Sequence, residues 1–185
     1  LRGNEMAKFY VARKADGKEW KGAKIPVYST EKAAGADFFA VEDTVIPCRG
    51  TQYDEICAVK KSDVFDDLSE SDKQLVANKF APTIVHTGIK VELADNEALM
   101  LLNRSGSPRK GLVLANGVGL VDADYYGCKA NDGEVMFAFY NVLPYDIVIK
   151  AGDRIGQGVI IKYSRAEGSS VGGERTGGFN STGDR

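Results

Sequence analysis

Near the C-terminus, Gly172-Gly173-Glu174-Arg175-Thr176-Gly177-Gly178-Phe179-Asn180-Ser181-Thr182-Gly183 sets an arginine, an aromatic ring and hydroxyls among glycines. Glycines let successive backbone N–H groups turn toward an anion, and Arg and hydroxyl side chains add donors for phosphate oxygens. Phe179 offers a flat face on which a base can stack. By composition alone such a stretch also reads as a Gly/Ser-rich tail with no core of its own. Four blocks upstream carry further chemistry: Ala34-Gly35-Ala36-Asp37-Phe38-Phe39-Ala40, Arg104-Ser105-Gly106, Gly119-Leu120-Val121-Asp122-Ala123-Asp124-Tyr125-Tyr126-Gly127 and Gly152-Asp153-Arg154-Ile155-Gly156-Gln157.

In this order the five blocks resemble those of the trimeric dUTPase family, over a span from about Lys24 to Gly183. The resemblance implies hydrolysis of dUTP to dUMP and pyrophosphate, which limits uracil in DNA and supplies dUMP for thymidylate synthesis. It implies a symmetric homotrimer with active sites shared at subunit junctions, and Mg²⁺ as cofactor. Such hydrolysis needs a water aimed at the α-phosphorus, a base for its proton, and cations and donors on the leaving pyrophosphate.

The resemblance assigns roles residue by residue. Asp122 is the general base that holds the water, and Asp124 has a structural part in its hairpin. Tyr125 packs beneath the deoxyribose, where a 2′-hydroxyl would clash; exclusion by shape suits a task that a hydrogen-bonding site performs poorly. Asn116 offers donor and acceptor to the uracil edge, and the backbone of Gly119 and Leu120 completes that recognition. Arg104, Ser105, Gly106 and Gln157 grip phosphates, Arg154 orients carboxylates or phosphate, and Arg109 and Lys110 are solvated charges. Asp37 lies near the magnesium waters, an indirect metal contact, since Mg²⁺ prefers phosphate oxygens and its own waters to a protein cage. In the tail, Phe179 stacks on uracil while Arg175, Ser181 and Thr182 close over the phosphates.

Three departures stand against the family pattern. The loop from Arg104 to Asn116 is one residue short, Arg175 lies one residue nearer Phe179, and Asn180 replaces a glycine. The short loop is closer to dCTP deaminases, which share the fold. Those enzymes carry a glutamate as proton shuttle just before a Phe-Tyr-Asn run. Here Ala138 precedes Phe139-Tyr140-Asn141, and a methyl group carries no proton. A second alternative is a regulatory nucleotide sensor of the same fold, binding a protein partner through an insertion at about 51–82.

The elements that must hold these residues read as short strands bounded by Gly, Pro, Asn or Asp: Phe9–Ala12, Asp37–Val41, Ile84–Leu93, Ala98–Leu102, Leu112–Ala115, Val135–Tyr140, Ile147–Ile149 and Arg154–Ile161. Together with the resemblance this predicts an all-β fold, a distorted jelly-roll barrel over 6–165. Residues 1–5 look like a cloning remnant, and the Gly-rich 166–185 form a flexible arm that closes the site. One short helix is expected within the insertion. Its sequence, Leu68 to Phe80, opens on a capping serine and acidic residues, with Leu75, Val76 and Phe80 on one side. A smaller insertion, Cys128 to about Gly133, is expected to lengthen a hairpin.

At 185 residues the chain suits one well-cored domain. With 24 Lys and Arg against 26 Asp and Glu, nothing points to stable nucleic-acid binding, and no apolar run is long enough for a membrane span. The three cysteines, Cys48, Cys57 and Cys128, are odd in number and lack close pairing, which fits a reducing cytoplasm, a host's if the source is a phage or virus. His86, the single histidine, reads as an ordinary strand residue.

Overall fold

Alternation of apolar and polar side chains fixes which face of each strand turns inward. In strand β5 (Thr83–Glu92), Val85, Thr87, Ile89 and Val91 are buried while His86, Lys90 and Glu92 face outward. The computed structural model describes residues 6–48 and 69–168. Its other strands are β1 (Lys8–Val11), β2 (Val27–Tyr28), β3 (Ala36–Phe39), β4 (Thr44–Ile46), β6 (Glu97–Leu102), β7 (Leu112–Leu114), β8 (Gly119–Asp122), β9 (Val135–Asn141), β10 (Ile147–Ile149) and β11 (Arg154–Lys162). All pairings are antiparallel, in a four-stranded sheet β1-β5-β9-β7, a five-stranded sheet β2-β3-β11-β6-β8 and a two-stranded ribbon β10-β4.

The core fills the space between the two larger sheets. Phe38, Leu99 and Ile155 come from one sheet, and Val85, Ile89, Val135, Phe137 and Phe139 from the other. The Phe38 and Phe137 rings meet across the gap with centroids 5.6 Å apart. Gly156 on β11 permits this closeness, because a Cβ there would penetrate the Phe137 ring. The all-β jelly-roll expectation therefore holds, and each anticipated strand is present.

The expected strand Asp37–Val41 stops at Phe39. Beyond it, Ala40 N bonds Asp153 O (2.9 Å) and Val41 N bonds His86 O (2.9 Å). The chain crosses there from the five-stranded toward the four-stranded sheet, so its backbone donors are satisfied by two different neighbours. β2 and β4 are too short to show a period in sequence, and β8 hides within a motif. Cys128–Gly133 winds into consecutive turns rather than longer hairpin strands: Cys128 N bonds Tyr125 O, and both Asn131 N and Asp132 N bond Cys128 O.

Helix α1 (Glu70–Phe80) starts as its sequence requires. Ser69 adopts an extended conformation and its hydroxyl accepts from Asp72 N at 3.2 Å, with Glu70 and Asp72 in the first turn. The side chains of Leu75, Val76 and Phe80 lie outside the described set, as do 49–68. No helix among the described residues is long and apolar enough to cross a membrane.

Candidate active site

Cross-strand partners share a sheet face, so register decides which side chains can work together. On β3, β11 and β6, Asp37 faces Gln157 and Gln157 faces Leu102. At the other end of β6, Ala98 faces Asp122 on β8. Asp37, Gln157 and Asp122 thus occupy one face of the five-stranded sheet, at opposite corners.

Asp37 is 1% exposed. Its Oδ1 accepts from Arg104 Nε (3.1 Å) and Gln157 Nε2 (3.2 Å), and its Oδ2 from Ser29 Oγ (2.7 Å), with Arg154 Nη1 3.3 Å away. Burial alone would raise this carboxyl. The hydrogen bonds from Ser29 and Gln157 and the charges of Arg104 and Arg154 outweigh it and hold Asp37 below the ordinary carboxylate range. The expected phosphate residues Arg104 and Gln157 are therefore brought together by one carboxylate, and Arg154 makes the carboxylate contact expected of it. Ser29 carries no expectation from sequence. Only the pairing of β2 with β3, Val27 to Asp37, brings it near, and no sequence signal marks it.

A carboxylate offers about four lone-pair sites, and four donors surround this one. A metal-bound water could reach Asp37 only by replacing a donor. Of the two guanidiniums Arg154 is the more exposed, 47% against 32%, and so the easier to displace. Ser105 and Gly106 lie exposed in the turn that follows, where Ser107 N bonds Arg104 O and Leu112 N bonds Ser107 O; Arg109 and Lys110 point to solvent, as expected.

At the other corner Asp122 is half-buried and lines a broad open groove with Leu120, Ala98, Ile161 and Tyr126. Asn116 is exposed at the turn before β8, with its amide beside buried Gly119, and Leu120 stands 59% exposed. Tyr125 packs into the barrel core, 6% exposed in the single chain, and its hydroxyl accepts from Asn131 Nδ2 at 2.7 Å. Asp124 is exposed. Arg175, Phe179, Ser181 and Thr182, the residues of the expected lid, fall outside the described residues. Ala138, at the position of the deaminase glutamate, is a buried methyl on β9 opposite Ile84.

With a rise of about 3.3 Å per residue and about 4.8 Å between strands, the register from Gln157 to Asp122 separates their Cα atoms by about 16 Å. Half of the expected site is thus preassembled around Asp37, and the acid lies well away from it.

A family model for dUTPase matches residues 57–183. The deoxyuridine 5′-triphosphate nucleotidohydrolase of Lactococcus lactis is 41% identical over 168 residues, covering 88% of this chain and 89% of that protein. The enzyme of the same name from Anaplasma marginale is 29% identical over 184 residues, 96% and 99% of the two chains. The crystal structure of a dUTPase from Streptococcus mutans superposes with a TM-score of 0.61 at 28% identity, covering 89% of this chain and all of that one. The dUTPase of phage phi11 of S. aureus, described with a structural Mg(II) ion, shares the fold at a TM-score of 0.59 and 16% identity, over 90% and 97% of the chains. Its motif blocks, its barrel and these relatives agree: the chain belongs to the dUTPase family.

Proposed function

We propose that the chain hydrolyses dUTP to dUMP and pyrophosphate at sites completed by neighbouring copies in a homotrimer. The observation that carries the shared-site reading is the separation of about 16 Å between Gln157 and Asp122, set by strand register and spacing. A donor cluster that grips a triphosphate and an acid that activates water must act on one α-phosphorus. A second subunit that brings its Asp122 hairpin to this subunit's Arg104 and Gln157 meets that need.

In this reading Asp122 takes the proton of the attacking water. Asn116 with the backbone of Gly119 and Leu120 reads the uracil edge, and Tyr125 walls off the sugar. Arg104, Ser105, Gly106 and Gln157 hold phosphates, with Asp37 keeping Arg104 and Gln157 in place. Arg175, Phe179, Ser181 and Thr182 of the arm close the site. Asp37 would hold Mg²⁺ only indirectly, through a metal-bound water admitted where Arg154 gave way, and the ion would supply positive charge to the leaving pyrophosphate. The reaction belongs in the cytoplasm, and the insertion at 51–82 is open to a protein partner.

Pyrophosphate release from dUTP, dCTP, dTTP and UTP, side by side with Mg²⁺, tests the assignment, with light scattering on the same sample. Release from dUTP alone by a particle of three chains is expected. A fully active monomer would overturn the shared site, and ammonia from dCTP would restore the deaminase reading.

A further inference from the structure

We propose that Asn131 is a positioning residue for discrimination against ribonucleotides, acting by holding the Tyr125 ring rigid; this rests on Tyr125 being the wall beneath the sugar. The juxtaposition lies in the short insertion after the Asp122 hairpin. Asn131 Nδ2 donates to the Tyr125 hydroxyl at 2.7 Å and lies 3.4 Å from Glu134 O, while Asn131 Oδ1 accepts from Gly133 N at 3.2 Å. The carboxamide is thereby oriented at both ends, oxygen toward its own turn and nitrogen toward the phenol.

The turn that carries it is itself pinned. Asp132 is the one non-glycine described residue with positive φ, 58°, a conformation held here from outside the turn. Its carboxylate takes the Lys90 ammonium at 2.8 Å and the Arg13 backbone N–H at 2.8 Å, from β5 and from the segment after β1. Gly133, at φ 76°, has no room for a side chain, since a Cβ would run into Tyr125 O. Cys128 N closes on the same carbonyl at 3.1 Å. The insertion therefore grips Tyr125 by its backbone on one side and by its hydroxyl on the other.

Rigidity is what a steric filter requires. Rejecting an added hydroxyl by shape works only if the wall does not recede, because a pocket that relaxes by a few tenths of an ångström admits the extra atom. The core packing of Tyr125 limits sideways movement of the ring. The bond to Asn131 restrains the phenol oxygen at the far end of the ring, which the core packing does not hold by direction. Loss of that bond should matter more for UTP, which needs the wall to yield, than for dUTP, which does not.

The test compares kcat/KM on dUTP and UTP for the wild type, Asn131→Ala, Tyr125→Phe, their double variant and Tyr125→Ala, with thermal midpoints recorded. Asn131→Ala should lower the dUTP:UTP ratio by about three- to tenfold, the range one hydrogen bond supplies, chiefly through better use of UTP. Tyr125→Phe removes the same bond from the other end without touching the turn and should lower the ratio similarly. The double variant should fall no further than the worse single variant. If Asn131→Ala fails to fold, Tyr125→Phe alone decides. Unchanged ratios in both single variants, or additive losses in the double, would overturn the role of Asn131 while Tyr125→Ala still lowers the ratio. An unchanged ratio in Tyr125→Ala would instead overturn the sugar-wall reading itself.

Discussion

Asp37 and Asp122 stand on one face of one sheet, yet their surroundings differ. Asp37 lies on β3, flanked on both sides by strands that deliver donors: β2 leads into Ser29 and β11 carries Gln157 and Arg154. Its four contacts leave it 1% exposed and held as a carboxylate. Asp122 lies at the end of β8, the edge strand, where the opposing residue on its one neighbour strand is Ala98. It is left half-buried in an open groove. The difference teaches that position in the sheet, more than residue type, separates a carboxylate gathered among cations from one that borders an open groove.

The sharpest way to break this comparison is Asp122→Asn. It keeps size and polarity but removes the base, so turnover should fall by at least about a hundredfold while nucleotide binding survives. Pyrophosphate release and calorimetric binding of a non-hydrolysable analogue measure the two separately. Near-normal turnover would transfer the base to another residue.

Asp37→Asn should do the reverse, moving KM and stability more than chemistry. It leaves two guanidiniums around a neutral amide, at a cost of about 2 kcal/mol of stability, with weaker grip on phosphates. Because the folded carboxyl is held below its unfolded value, its contribution is present above the unfolded value and lost as pH falls through the folded one. The stability gap between wild type and variant should therefore be full above about pH 4 and close below it. Denaturant titrations at several pH values read the gap, and a pH-independent gap would mean that Asp37 acts through packing.

The smallest effect concerns a third carboxylate, Glu134, which sharpens the contrast by having no expected role in the site. It is 3% exposed, bonds His86 Nδ1 at 3.0 Å and Gly88 N at 2.9 Å, and lies in the turn before β9. Trp20 stacks on His86 at 5.0 Å, with the Lys14 ammonium over the indole. The Glu134 hydrogen bond raises the His86 pKa, opposed by burial and Lys14 and aided by the charges of Glu134 and Glu42. A raised pKa gives stability that is complete below the unfolded value of about 6.5 and is lost as pH rises through the folded value. His86→Gln should therefore cost under about 1 kcal/mol at pH 5.5 and less at pH 8, with turnover unchanged in ratio among substrates. Melting curves at the two pH values check the sign.

Local chemistry is legible in the order of residues itself. Ser69 as a helix cap depends on the few residues that follow it, and the strand of Val85, Thr87, Ile89 and Val91 depends on a period of two. The Asp-Ala-Asp-Tyr block stands in one unbroken stretch, so the resemblance names Asp122 and Tyr125 together. Sequence also marks Asp37, Arg104, Arg154 and Gln157, in three separate blocks. Only the tertiary structure decided that these four converge, because the contact joins residues 67 and 120 positions from Asp37. It alone recruited Ser29 through a two-residue strand too short to show a pattern, and Asn131 through a turn that reads as a mere insertion. Covalent order determined which groups the chain owns and which short elements they form. Strand pairing, set by how a barrel buries Phe38 against Phe137, determined which carboxylate is surrounded by donors and which faces an open groove.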